Sequence, residues 1–242
     1  MRSLLAAWRL ARLALHVAHG LWIVMRRFKR CLPEQRQQAI RWWSRKMLRI
    51  LGIELTTSGH AAPAGQLLVA NHVSWLDIAA IHAVLPQARF VSKADVRHWP
   101  LVGILVEGVG TLFIERASKR DALRVVHQTA AALQNGDCVA VFPEGTTGPG
   151  PELLPFHANL LQAAITTGAA VLPAVLRWHE PGQRFSSAAR FIGDTTLVGS
   201  MWAIASARGL GVDVQLLPAV PAQGQDRRVL GEVLRGAISA RL

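Results

Sequence analysis

The spacing of apolar positions along this chain changes at Gly52. Before it, Ile40, Trp43, Met47 and Ile50 recur at helical spacing through Pro33–Leu51, while Arg41, Arg45 and Arg49 line another face. A proline opens that stretch, which suits the first position of a helix. Further upstream, residues 13–25 form an apolar run interrupted by His16 and His19. Arg9 and Arg12 flank it on one side and Arg26-Arg27-Phe28-Lys29-Arg30 on the other. After Gly52, short apolar runs alternate with helical stretches. Strands are predicted over residues 65–70, 88–92, 110–114, 137–142, 170–176 and 212–217. Helices are predicted over 76–84, 100–106, 119–134, 160–167 and 227–242, with Asn135-Gly136 as a stop signal. This alternation predicts an α/β fold, a mainly parallel sheet flanked by helices on both faces. Residues 181–209, rich in Gly, Ser and Arg, carry no legible pattern.

Half of the 242 residues are apolar, enough for one sizeable core. The formal charge of +12 is unevenly placed. Residues 1–49 hold twelve Lys or Arg against the single acid Glu34, and the remainder is nearly neutral. That basic fifth is also apolar, so its partner is expected to be an anionic bilayer surface. A basic patch with aromatics could also suit nucleic acid, but phosphate contact has no use for wide apolar faces, and no nucleic-acid partner is expected. Residues 13–25 are short for a span, which needs about 20 apolar residues. Extending the run back to Leu4 would bury Arg9 and Arg12 at about 2.5–3.5 kcal/mol each. The same arginines spoil a signal-peptide core. Residues 1–51 are therefore read as a membrane-docking helical pair lying in the interface, and 52–242 as the α/β domain. A single tilted span, or a pair packed on the domain with a solvated basic face, are the competing arrangements. Cys31 and Cys138 suggest neither a disulfide framework nor a metal site.

The chemistry concentrates after the run Leu67-Leu68-Val69-Ala70. Asn71-His72-Val73-Ser74-Trp75-Leu76-Asp77 sets an imidazole and a carboxylate five positions apart at a strand end. A neutral His can take a proton from an alcohol when a partner fixes its tautomer. Asp77, at the start of the next helix, can accept from Nδ1–H and leave Nε2 as the base. It could equally serve only the helix dipole. Ser74 invites a nucleophile reading, but no Gly-x-Ser-x-Gly elbow surrounds it. Two more strand ends carry polar groups: Gly110-Thr111-Leu112-Phe113-Ile114-Glu115-Arg116, and Val139-Ala140-Val141-Phe142-Pro143-Glu144-Gly145-Thr146. Glu144 is held on a tight turn, where it can satisfy nearby backbone donors.

With a later apolar strand, Val171-Leu172-Pro173-Ala174-Val175, these blocks resemble the glycerolipid acyltransferase family, best known for the 1-acylglycerol-3-phosphate acyltransferases. The resemblance covers roughly residues 33–180. It implies that His72 and Asp77 are catalytic, and that Arg116, Glu144, Gly145 and Thr146 bind substrate, with Lys93 a further head-group candidate. Arg116 would contact an acceptor phosphate, to which a guanidinium fork is suited. Many members that take a phosphate acceptor follow the Pro-Glu-Gly-Thr turn with Arg, whereas this chain has Thr147. That departure, and the segment from Phe90 to Pro100, are similar to a branch that includes lyso-ornithine lipid acyltransferases. The resemblance thus implies acyl transfer from an acyl thioester, acyl-CoA or acyl-carrier protein, to the hydroxyl of a lysolipid. No metal or other cofactor is expected. The place of work would be the cytoplasmic face of the inner membrane. A thioesterase using water, and a non-catalytic lipid-binding protein on the same fold, are the alternatives.

Overall fold

The computed structural model describes residues 2–61, 65–114 and 119–242. Two helices open the chain. α1 (Arg2–Trp22) passes through a π turn (Ile23–Arg27) and a 3₁₀ turn (Phe28–Arg30) before α2 (Pro33–Leu51). Gly52 closes α2 in the left-handed conformation, φ 74°, with its N–H on the carbonyls of Arg49 and Leu48. A Cβ at Gly52 would run into the Arg9 guanidinium. That guanidinium donates to the carbonyls of Ala205 and Ala207, at the end of a helix over Leu197–Ser206. One of the charges that argued against a span is thus occupied inside the fold, linking the body of α1 to the ends of two other helices.

The strands are β1 (Glu54–Ser58), β2 (Gln66–Ala70), β3 (Ala88–Lys93), β4 (Leu112–Ile114), β5 (Cys138–Val141), β6 (Ala170–His179) and β7 (Gly211–Leu216). They form one sheet in the order β1-β7-β6-β2-β5-β3-β4. Only β6 and β7 pair antiparallel, and the other neighbours are parallel. The helices between them are α3 (Asp77–Val84), α4 (Val102–Gly108), α5 (Lys119–Gln134), α6 (Leu161–Thr167) and α7 (Leu197–Ser206), and α8 (Arg227–Ser239) follows β7. This is the expected α/β architecture, with one reversal where β7 enters.

Two apolar layers sandwich the sheet, and alternation along each strand assigns residues to them. Leu68, Ala140, Leu172 and Leu176 point into a layer shared with α1, α2, α3 and α7. Leu67, Val69, Val139, Val171 and Val175 point into the other, with α5, α6 and α8. The first layer takes Ala6 and Leu13 from α1 and Met47, Leu48, Ile50 and Leu51 from α2, so the N-terminal pair is part of the core. Its outer face remains apolar: Leu4, Trp8, Leu15 and Trp22 are all exposed. Among the described residues, no helix is long and apolar enough to cross a membrane.

β1 and α7 lie where no element was predicted, and β6 runs three residues beyond its predicted end. β1 is an exposed edge strand, Glu-Leu-Thr-Thr-Ser, with no apolar run to reveal it. Within α3, His82 is buried among apolar neighbours, its Nε2 bonded to the Ala88 carbonyl at 2.9 Å. Burial holds it neutral and lowers its pKa from 6.5 to about 4. The depressed value means that its contribution to stability is present above pH 6.5 and lost as the pH falls through about 4. Against a His82→Gln variant, the wild type is expected to lose roughly 3 kcal/mol more stability over that interval in urea titrations. Parallel curves would show that His82 protonates freely in the folded state.

Candidate functional site

The site lies where β2 and β5 end side by side. Asn71, the first residue after β2, grips β6 across the sheet. Its Nδ2 donates to the Leu176 carbonyl at 2.9 Å and its Oδ1 accepts from the Leu176 N–H at 2.8 Å. The chain then turns through His72-Val73-Ser74 into α3, and Asp77 is fully buried at that helix start. Asp77 Oδ2 accepts from the backbone N–H groups of Val73 and Ser74, at 2.7 and 2.9 Å. His72 Nδ1 lies 2.8 Å from the same oxygen. An oxygen already receiving two N–H donors acts as acceptor, so Nδ1 carries the proton and Nε2 presents its lone pair. The imidazole is 18% exposed, enough to meet a substrate. Its ring stacks on Phe142 at 4.0 Å between centroids and 8° between planes, and Phe142 stacks in turn on Phe90.

Asp77 has a further partner that the sequence did not reveal. Trp178, buried near the end of β6, donates its indole N–H to Asp77 Oδ1 at 2.6 Å. Four donors on two oxygens hold the buried carboxylate in place. The available signal was the continuing alternation of Leu176-Arg177-Trp178-His179 beyond the predicted strand end.

Glu144 is buried on the turn after β5 and joins the loops on either side. Oε1 accepts from the His72 backbone N–H at 2.7 Å and Oε2 from the Leu154 N–H at 2.9 Å. The His72 carbonyl accepts from the Gly148 N–H at 2.7 Å, which closes the ring of contacts. Both carboxylate oxygens are thus engaged by backbone donors, which is the structural reading of this turn carboxylate. Burial pushes its carboxyl above the ordinary range, and the Leu154 and His72 N–H groups pull it back. Gly145 has φ 71° and supplies the left-handed residue of the turn. Thr146 is exposed beside it, and Lys93 is exposed at the end of β3, on the same edge of the sheet. Arg116 lies outside the described residues. Thr147 donates from Oγ1 to the Phe191 carbonyl, so the side chain in place of an arginine fastens the turn to the segment before α7. Ser74 Oγ is buried and accepts from the Leu76 N–H, as a turn cap does.

Trp178→Phe keeps the shape but leaves Asp77 Oδ1 without its donor, and is expected to lower stability by about 1–3 kcal/mol in denaturant titrations. Glu144→Gln places an amide donor against a backbone N–H and is expected to cost a similar amount, roughly 1–3 kcal/mol. An unchanged midpoint in either variant would remove that residue from the support of the site.

An acyltransferase family profile matches residues 53–177. The lyso-ornithine lipid O-acyltransferase of Pseudomonas aeruginosa is 37% identical over 244 residues, covering 98% of this chain and 92% of that protein. The 1-acyl-sn-glycerol-3-phosphate acyltransferase of Neisseria meningitidis is 38% identical over 212 residues, covering 86% of this chain and 82% of the relative. In fold, the chain is similar to the crystal structure of the 1-acyl-sn-glycerophosphate acyltransferase PlsC from Thermotoga maritima. The TM-score is 0.67 at 20% identity, with 96% of this chain and 97% of that one covered. The profile spans the stretch from β1 into β6 on which the His72–Asp77 pair is built, and this chain belongs to the acyltransferase family.

Proposed function

We propose that this acyltransferase works at a membrane surface, moving a fatty acyl group from an acyl thioester to the hydroxyl of a lysolipid. The observation that carries the reading is the buried Asp77 holding His72 as the Nδ1–H tautomer, with Nε2 turned to the site. Nε2 removes the acceptor hydroxyl proton while that oxygen attacks the thioester carbonyl. Asp77 stabilises the imidazolium that forms. Collapse of the tetrahedral intermediate breaks the C–S bond, and the imidazolium returns its proton to the departing sulfur. The products are an ester and a free thiol, and His72 is restored. The thioester is already activated, so base catalysis and positioning suffice. Acyl-CoA and acyl-carrier protein both fit as donors, and both place the reaction at the cytoplasmic face of the membrane.

Relatives at similar identity carry names with different acceptors, lyso-ornithine lipid and 1-acyl-sn-glycerol-3-phosphate. Thr147 supports the first for this chain, because its hydroxyl is engaged by Phe191 and the turn supplies no cation for a phosphomonoester at that position. Lys93 and Arg116 are the candidates that the family resemblance offers for an acidic head group. Membrane docking is supported by the exposed Leu4, Trp8, Leu15 and Trp22 on α1 together with the basic character of residues 1–49. Removing residues 1–51 would also remove Leu13, Leu48 and Leu51 from the core, so docking is tested through exposed side chains instead.

His72→Ala is expected to fold normally and lose roughly 10²–10⁴-fold in acyl transfer from a labelled thioester. Turnover near the wild-type rate would sink the mechanism. In the same vesicles, lyso-ornithine lipid is expected to outcompete lysophosphatidic acid as acceptor, and the opposite order would transfer the head-group role to Lys93 and Arg116. Product that forms without any added lysolipid, as free fatty acid, would identify a thioesterase.

A further inference from the structure

We propose that residues 94–108, between β3 and β4, form a second bilayer-inserting element with Leu101 at its tip. This rests on the reading that the enzyme works at a membrane surface, and adds an anchor outside the N-terminal pair. Between a 3₁₀ turn (Ala94–His98) and α4, the Val102 N–H reaches back to the Pro100 carbonyl at 2.7 Å. This closes a three-residue γ-turn on Leu101, at φ 65° and ψ −46°. It is the rare, strained form of that turn, and Leu101 is the one non-glycine residue at positive φ among the described residues. Core packing does not offset the strain, because Leu101 is 56% exposed. Trp99 before it is 48% exposed and Ile104 after it 42%. Strain of this kind persists where function uses it.

The patch continues into the N-terminal region. Gly108 at the end of α4 packs so closely on Val24 of the π turn that a Cβ there would come within 2.4 Å of it. Ile104 lies one turn earlier on that face of α4, and Trp22 and Met25 are exposed beside Val24. An apolar surface therefore runs from Trp22 and Met25 across to Leu101 and Trp99. Arg26, Arg27, Lys29 and Arg30 are exposed along its rim, and no acidic residue occurs before Glu34. Glu107 on α4 is matched by Arg97 at 2.6 Å. Apolar tips, tryptophans and a mainly basic rim, in which Asp95 is a further exposed acid of the segment, fit the headgroup region of an anionic bilayer. The segment leaves the sheet edge that carries His72, through β3, whose Phe90 stacks on Phe142. Its insertion turns that edge toward the lipid.

The test uses the full chain and vesicles of phosphatidylglycerol and phosphatidylcholine, comparing wild type with Leu101→Gly and with Trp99→Ser/Leu101→Gly. The double variant is expected to partition roughly 10- to 100-fold more weakly. Glycine accepts positive φ, so the melting midpoint of Leu101→Gly is expected to stay level or rise. A fall in that midpoint would mean that packing holds Leu101, and would overturn the strain argument. Wild type that binds with an equally binding double variant would overturn this anchor and leave membrane docking intact. Wild type that does not bind would overturn docking itself. A lipid-free dimer dissolved by the double variant, with vesicle binding unchanged, would assign the surface to a second copy of the chain.

Discussion

Asp77 has no contact with solvent, and a carboxylate in that position must find hydrogen-bond donors for both oxygens within the fold. Its donors come from three sources: the turn that leads into it, the imidazole beside it and the far end of β6. Much of the local architecture follows from that requirement. Asn71 fixes β6 at Leu176, which sets the height at which Trp178 reaches across. Glu144 fixes the backbone of His72 from the other side, and Phe142 supports the imidazole face. Deep burial also explains why the supporting groups are mainly backbone N–H. They are donors whose placement is set by the fold and costs no side-chain entropy.

The sheet was legible because its central strands are buried on both faces and read as unbroken apolar runs, as in Leu67-Leu68-Val69-Ala70. The His72–Asp77 pair was legible because five positions span one turn from a strand end to the next helix start. β1 was not, since an edge strand of Glu, Leu, Thr and Ser carries no hydrophobic period. Trp178 escaped for a different reason. Its partner is 101 positions away, and only the pairing of β6 with β2 brings them together. Thr147 was noticed as a missing cation, but its bond to Phe191 belongs to the segment whose sequence carried no pattern.

The N-terminal helices show how one sequence period can serve two environments. Leu13 and Ala6 seat α1 in the core, while Leu4, Trp8 and Leu15 on the other side of the same helix remain uncovered. Periodicity alone predicts a helix with a wide apolar surface and cannot assign which part meets protein. Arg9 does not face the solvent with the rest of the basic region but closes carbonyls at the end of α7. The net charge of the region thus overstates, by at least this residue, what is offered to a partner.

The bond from Trp178 to Asp77 also has a consequence for the order in which the enzyme matures. His72 and Asp77 leave the ribosome early, yet the buried carboxylate lacks its full set of donors until a hundred more residues have been made and β6 has paired with β2. The Phe191 N–H, which bonds the Val73 carbonyl, comes later still. A partly synthesised chain therefore carries both residues of the pair without the full set of contacts that holds them together. Competence arrives as a late, cooperative event, tied to closure of the sheet rather than to synthesis of the motif.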